Sequence, residues 1–467
     1  MQQVRALTRT GRESVLTETA LQEFAAKLRG QMLTAEQSSY QQRRKVWNAM
    51  IDRRPALIAR CAGVADVIHC VNFARDNDLL VSIRGGGHSV AGKAVCDGGL
   101  MIDLEGMKSI QVDAVSATAY AETGVTWGEF DSETQNFGLA TTGGFVPSTG
   151  IAGLTLGGGL GYLMRRFGLT CDNLLSADVV TADGRLLKAS TGENEDLFWA
   201  LRGGGGNFGV VTSFKYKLHA VGPMVFGGPI LHPTSRAKEV LRFYREFTAT
   251  SPDELTTFLL FLTSPEGEPA VALFVCYSGP IESSENAVQP IREFAEPMAD
   301  FAQPISYAAL QAMGEPMFPA GRLNYWKSSF IDELTDDAIN LIIDRFASVP
   351  SPYSTVALEQ LGGAVKRIDD NETAFSGRSA NYNFVITSEW LDLAENETNV
   401  RWTREFWESM RPFLQTSVYV NYLSAGEEDR IRDAYGPAKY DRLVEIKNKY
   451  DSMNLFRANQ NIRPTAT

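Results

Sequence analysis

Three glycine clusters carry the strongest chemical signal in this chain. They are Arg84-Gly85-Gly86-Gly87-His88-Ser89-Val90-Ala91-Gly92, the run Gly150 to Gly161 (GIAGLTLGGGLG), and Gly203-Gly204-Gly205-Gly206-Asn207-Phe208-Gly209. Consecutive glycines behind a strand let the backbone take positive φ and turn several N–H groups onto one anion, such as a pyrophosphate. Each cluster alone also reads as a tight turn. Three of them between residues 84 and 209, each at the end of an element, favour one extended ligand shared among them.

Two familiar phosphate motifs nearly fit, and each fails on its context. Gly87 to Lys93 begins a GxxxxGK loop, but Ala94 stands where a hydroxyl must reach magnesium, so nucleotide hydrolysis is disfavoured. Gly204 to Gly209 satisfies GxGxxG, yet it precedes a strand instead of following one and opening a helix, so a Rossmann NAD enzyme is disfavoured too.

The elements that must position these loops follow from periodicity. Ala56 to Arg60, Leu79 to Arg84, Leu100 to Leu104 and Ala177 to Thr181 read as strands, and Val64 to Asp76 and Glu195 to Arg202 as helices. In Val210 to Leu218 the alternation puts Phe214, Tyr216 and Leu218 on one face and Lys215 and Lys217 on the other. The character changes near His219 to Pro233. Beyond it, strands at Leu255 to Thr263, Val271 to Tyr277, Tyr382 to Ile386 and Ser417 to Leu423 mix with helices at Ala237 to Thr248, Asp337 to Ser348 and Val400 to Leu414, an order that favours an antiparallel sheet covered by helices.

With 44 basic and 56 acidic side chains among 467 residues the net charge is −12, so the average surface repels nucleic acid. Five cysteines (Cys61, Cys70, Cys96, Cys171, Cys276) show no CxxC or CxxH spacing, which suggests neither a disulfide framework nor structural zinc, and no bound metal is expected. No signal-peptide core and no run of about 18 apolar residues occurs, so a cytoplasmic protein without membrane partners is expected.

The ordered segments RPALIARCAGVADVI, RGGGHSVAG, CDGGLMIDL, GGGLGYLMRRFGLTCDN, DLFWALRGGGGNFGVVT and NLFRANQNI resemble successive signatures of the berberine-bridge-enzyme-like branch of the vanillyl-alcohol-oxidase flavoprotein superfamily, from about Arg53 to Arg463. Within that branch the chain resembles bacterial oxidases of the 6-hydroxy-D-nicotine oxidase and enterocin-biosynthetic type. The resemblance implies an α+β protein: an FAD-binding fold over residues 1–220 (core 53–220), an inserted substrate domain of antiparallel sheet covered by helices over 221–415, and a C-terminal segment, 416–467, that returns to the FAD domain. It further implies FAD bound by Arg84, Gly85, Gly86, Gly87, His88, Ser89, Gly92, Thr149, Gly150, Gly153, Gly158, Gly159, Gly161, Asn173, Val211, Asn459 and Asn461, and tethered through its 8α-methyl carbon to His88. Relatives with a second tether carry a cysteine where this chain has Val146, so a single link is expected; Cys171 lies beyond that loop and reads as a small buried hydrophobe.

The resemblance implies an oxidase that moves hydride from a small substrate to flavin N5 and is reoxidised by O2 to hydrogen peroxide. A flavin-dependent oxygenase or oxidative cyclase of natural-product metabolism, and a flavin-binding protein without turnover, are the other two readings. Counting back from Trp390 to the position of the plant-type carboxylate base gives Val385, which accepts no proton. Tyr419 and Asn421, on one face of an expected strand with Tyr422 opposite, are the favoured catalytic pair, against a reading of both tyrosines as packing aromatics. Thr149 is either a hydroxyl steering O2 beside the flavin or a helix N-cap. The resemblance also leaves a homodimer open.

Overall fold

The computed structural model describes residues 3–264 and 267–465. Two small sheets carry the glycine loops. Strands Leu57–Arg60, Leu100–Asp103 and Val81–Arg84 run parallel, with Arg84 opposite Asp103, and helix Val64–Asp76 buries Val67, Cys70, Val71 and Ala74 against them. The loop bearing His88 therefore leaves the C-terminal end of a parallel strand, the usual ligand side of such a sheet. Next to it a five-stranded antiparallel sheet runs in the order Leu186–Ser190, Leu174–Val180, Val210–Lys217, Thr118–Glu122, Ile110–Asp113. In Val210–Lys217 the expected alternation is present: Phe214 and Tyr216 are buried and Lys215 and Lys217 exposed.

Between Ala220 and Met224 the chain crosses into an eight-stranded antiparallel sheet built from residues 224–390. Its strands Leu255–Thr263, Pro269–Tyr277, Thr355–Gln360 and Tyr382–Trp390 are apolar on the face packed by helices Ala237–Thr248, Asp336–Phe346 and Asn396–Met410. The other face is turned to the glycine loops. Helix Asn396–Met410 starts before the expected Val400 and gives way to a 3₁₀ turn, Arg411–Phe413, at Pro412.

One expected strand is absent. Residues 417–423 form a 3₁₀ turn at Val420–Tyr422, closed by Tyr422 N–H donating to Tyr419 O at 2.9 Å. The segment meets the edge strand where Phe330 N–H donates to Ser417 O at 3.4 Å, and just past its end Ser424 Oγ accepts from Trp326 N–H and donates to Trp326 O; its own side chains bind the glycine run, Gly159 N–H donating to Tyr419 Oη at 3.1 Å and Asn421 Nδ2 to Leu154 O at 3.2 Å. With no pleat there is no alternation, and the inference that Tyr422 points away from Tyr419 and Asn421 fails.

The C-terminal helix Pro437–Tyr450 docks on Glu195–Leu201 and ends in a buried ion pair, Lys447 Nζ to Asp451 Oδ2 at 2.6 Å. Lys447 also donates to Asn207 O and Phe456 O, while Asn207 Oδ1 accepts from Ile462 N–H, so the third glycine cluster and the chain's end are tied together. Replacing Lys447 with alanine leaves the Asp451 carboxylate uncompensated in a dry setting. The expected outcome is a loss of about 3–5 kcal/mol in denaturant unfolding at unchanged m-value.

Candidate active site

A cavity of ≈ 370 Å³ lies between the glycine loops and the open face of the large sheet. Its first wall is made where two loops cross. A Cβ on Gly86 would stand 2.4 Å from Gly150 N, and one on Gly150 would stand 2.4 Å from Gly86 N, so only two glycines fit there. The crossing brings Ser148 and Thr149 onto the His88 ring: Ser148 Oγ is 3.1 Å from Nε2 and Thr149 Oγ1 is 3.3 Å from Nδ1. Trp47 stacks on the imidazole with centroids 5.3 Å apart. His88 keeps some exposure toward the cavity, yet the protein around it desolvates the ring and pushes its pKa down to about 4, so it is neutral at physiological pH.

This wall fits FAD. Among the described residues the N–H groups of Gly86, Gly87, His88 and Ser89 donate to no protein acceptor, and together they make a cradle for an anion. Gly153 and Gly206 line the cavity, and a Cβ on either would enter open space, leaving room for a flat ligand to approach the backbone. Asn459 also lines it, its enclosed Oδ1 meeting no protein donor while its Nδ2 holds Gly206 O at 3.1 Å.

The second wall comes from strands Thr355–Gln360 and Tyr382–Trp390, whose register sets Glu359 opposite Asn383 and Ala357 opposite Val385. Thr355, Ala357, Glu359, Val385 and Thr387 all face the cavity. Glu359 is held by two donors, Asn383 Nδ2 to Oε2 at 2.7 Å and Tyr422 Oη to Oε1 at 2.9 Å. Burial outweighs both and pushes its pKa up to about 7. Burial, and then the Glu359 charge, push the Tyr422 phenol well above its ordinary value. An aromatic cluster completes the wall: Phe145 meets Phe258 at 4.5 Å and Tyr162 at 5.1 Å, and Trp326 meets Tyr422 edge-on at 5.2 Å.

The cavity gathers Gly85, Gly86, Gly87, His88, Ser89, Thr149, Gly150, Gly153, Val211, Asn459, Tyr419 and Asn421 from the expected set. Others are not brought to it. Gly158 and Gly159 have positive φ and pack on Phe375 and Thr170, Gly161 lies against Gly143 O, and Gly92 is a positive-φ turn beside Ile51. Arg84 pairs with Glu105, and Asn173 Oδ1 bonds His219 Nε2 at 2.6 Å under a Phe167–His219 stack. Asn461 is likewise away from it. Thr149 caps no helix, since Ile151–Leu156 starts from Gly150 without a side-chain cap. Val146, where the resemblance would put a second tethering cysteine, lines the cavity, and Cys171 is wholly buried.

Tyr419 is buried, its hydroxyl accepting from Gly159 N–H and Asn421 Nδ2, while the Tyr422 hydroxyl donates to Glu359. Glu359 was not anticipated. Its signal was a lone carboxylate inside the strand-forming run Thr355-Val356-Ala357-Leu358-Glu359-Gln360, on the face whose other members are small. Trp47 was missed because its stack on His88 is set by long-range contacts: Trp47 N–H donates to Gly87 O and Nε1 to Phe318 O.

Residues 55–190 match the FAD binding domain family, and residues 418–463 match the family described as berberine and berberine like. An FAD-linked oxidoreductase of Dictyostelium discoideum is 33% identical over 95% of this chain and 96% of its own length. (R)-6-hydroxynicotine oxidase of Paenarthrobacter nicotinovorans is 31% identical over 94% of this chain and 97% of its own. The crystal structure of 6-hydroxy-D-nicotine oxidase from Arthrobacter nicotinovorans covers 93% of this chain and 98% of that one, with TM-score 0.86 and 29% identity. The fold and this site define an FAD-dependent oxidoreductase. The chain belongs to the berberine-bridge-enzyme-like family of FAD-linked oxidoreductases, within the vanillyl-alcohol-oxidase superfamily.

Because the loop crossing leaves no space for a methyl group, Gly86→Ala is expected to cost about 1–3 kcal/mol or more and to lower FAD content. Thermal unfolding and the flavin-to-protein absorbance ratio of the purified variant read both effects.

Proposed function

We propose that this enzyme is an oxidase, with FAD tethered to His88, that takes hydride from a carbon bearing oxygen or nitrogen in a small, largely apolar substrate and forms hydrogen peroxide. The observation that carries the reading is the Tyr422–Glu359 pair, hydrogen-bonded at 2.9 Å and facing the same cavity as the His88 loop. Bound FAD supplies a two-electron acceptor at this cavity, one that dioxygen reoxidises.

Loss of hydride from such a carbon leaves a cation unless the neighbouring O–H or N–H loses its proton. Tyr422 Oη, lining the cavity, accepts that proton while passing its own to Glu359 Oε1; the carboxylate is the terminal acceptor, and Asn383 Nδ2 keeps its second oxygen aimed away. A phenol whose pKa is raised keeps its own proton and offers no phenolate to act as base, so the step depends on Glu359 being ionised. Since burial sets that carboxyl near 7, it is poised to take a proton and then release it. The carboxylate absent at Val385 is thus replaced from the adjoining strand, which argues against a flavin binder without turnover.

Phe145, Phe258, Phe274 and Leu260 make the substrate wall apolar, which suits a compact aromatic amine or alcohol better than a sugar, whose hydroxyls would find few partners there. The five cysteines are all buried and free, which supports a reducing, cytoplasmic setting, and among the described residues no helix is long and apolar enough to cross a membrane.

Peroxide release across a panel of aromatic amines, aromatic alcohols and sugars tests the activity; turnover confined to sugars, or none at all, contradicts the reading. The proton acceptor is tested by pH. The needed form of Glu359 is the carboxylate, so kcat/KM is expected to rise through about pH 7 to a plateau, and to be lost as pH falls. Glu359→Gln is expected to abolish that step and lower kcat about 10²–10⁴-fold while FAD content is kept.

A further inference from the structure

Each ring nitrogen of His88 meets a different hydroxyl, and the two hydroxyls differ in where they stand. Thr149, 3.3 Å from Nδ1, lines the cavity; Ser148, 3.1 Å from Nε2, does not. Nδ1 is therefore the nitrogen on the cavity side. A neutral imidazole carries one N–H and one lone pair, and a bond to carbon forms only from the lone pair. With hydrogen on Nε2 the lone pair is on Nδ1, the nitrogen beside the cavity-lining Thr149. With hydrogen on Nδ1 the lone pair faces Ser148 and is useless for tethering.

We propose that Ser148 is the positioning residue for covalent flavin attachment: its Oγ accepts the Nε2–H of His88 and so selects the tautomer whose Nδ1 faces the cavity. This rests on the reading that FAD is tethered through His88. Ser148 is itself held in place, because its N–H donates to Glu315 Oε2 at 3.2 Å and the Gly86–Gly150 crossing fixes the loop on its other side. Trp47 holds the ring plane, and desolvation keeps the ring uncharged, so tautomer choice is the remaining freedom.

His88 Nδ1 forms a bond to the 8α-carbon of FAD, one C–H bond of that methyl group breaks with its hydrogen leaving as a proton, and two electrons enter the flavin ring. The imidazolium so formed then releases its Nε2 proton to water, Ser148 Oγ staying a neutral hydrogen-bond acceptor. Dioxygen takes the two electrons and two protons as hydrogen peroxide, so the tethered product lacks two hydrogens relative to FAD plus histidine. Ser148 thus acts before the bond forms, by orienting the ring.

The test compares wild type, Ser148→Ala and Ser148→Thr as purified holoproteins, measuring the flavin that stays with acid-precipitated protein at equal total FAD. One hydrogen bond is worth a factor of about two to ten, so the tethering rate in air is expected to fall by that much in Ser148→Ala and to recover in Ser148→Thr. Tethering at the wild-type rate in Ser148→Ala, or no recovery with threonine, overturns the proposal. If the alanine variant does not hold FAD, ¹H–¹⁵N correlation on the wild-type flavin peptide decides: linkage at Nδ1 supports the proposal and linkage at Nε2 overturns it. Wild type without any tethered flavin instead sinks the underlying reading of His88.

Discussion

The site depends on two backbones passing so closely that neither tolerates a side chain. At the contact between Gly86 and Gly150 each nitrogen lies where the other residue's Cβ would be. That one approach sets the distance from His88 to Ser148 and Thr149, leaves the N–H groups of residues 86 to 89 without a protein acceptor, and starts the short helix Ile151–Leu156 from Gly150. The C-terminal segment is tied to the third glycine cluster, through Lys447 and Ile462 to Asn207 and through Asn459 to Gly206, and Asn207, Gly206 and Asn459 line the same cavity. Residues distant in sequence thereby meet around one ligand.

Desolvation acts on two ionisable groups of the cavity, favouring the uncharged form of each. It lowers the pKa of His88, which keeps the imidazole neutral and nucleophilic. It raises that of Glu359 toward neutrality, which makes a carboxylate able to cycle between protonated and ionised forms. Tyr422 joins the second group to the cavity, and Tyr419 with Asn421 fixes the turn that aims it. In the proposed function the apolar wall takes part in the acid–base chemistry as well as in substrate choice.

Much of this was legible from residue order. The three glycine clusters, the helix Val64–Asp76, the strand Leu255–Thr263 and the alternation in Val210–Lys217 are local signals, and the structure carries them. What escaped was decided by contacts across the chain. The segment holding Tyr419 to Tyr422 has strand-forming residues, but its polar groups bind Gly159 and Leu154 and wind it into a turn. Glu359 became a site residue only through the pairing of its strand with Tyr382–Trp390, which places it beside Asn383 and Tyr422. Conversely, Gly158, Gly159 and Gly161 share the composition of a ligand loop yet serve turns packed against Phe375, Thr170 and Gly143. Glycine marks close approach without saying to what.

The central claim is that a neutral His88, held in a glycine cradle, is covalently joined to FAD. Trypsin cleaves after Arg84 and Lys93, so residues 85–93 are released as one peptide carrying a single histidine. Mass mapping of the denatured, digested native protein measures the claim directly. That peptide should carry the mass of FAD less two hydrogens, with fragmentation placing it on His88; an unmodified peptide, or flavin attached to another side chain, would contradict it.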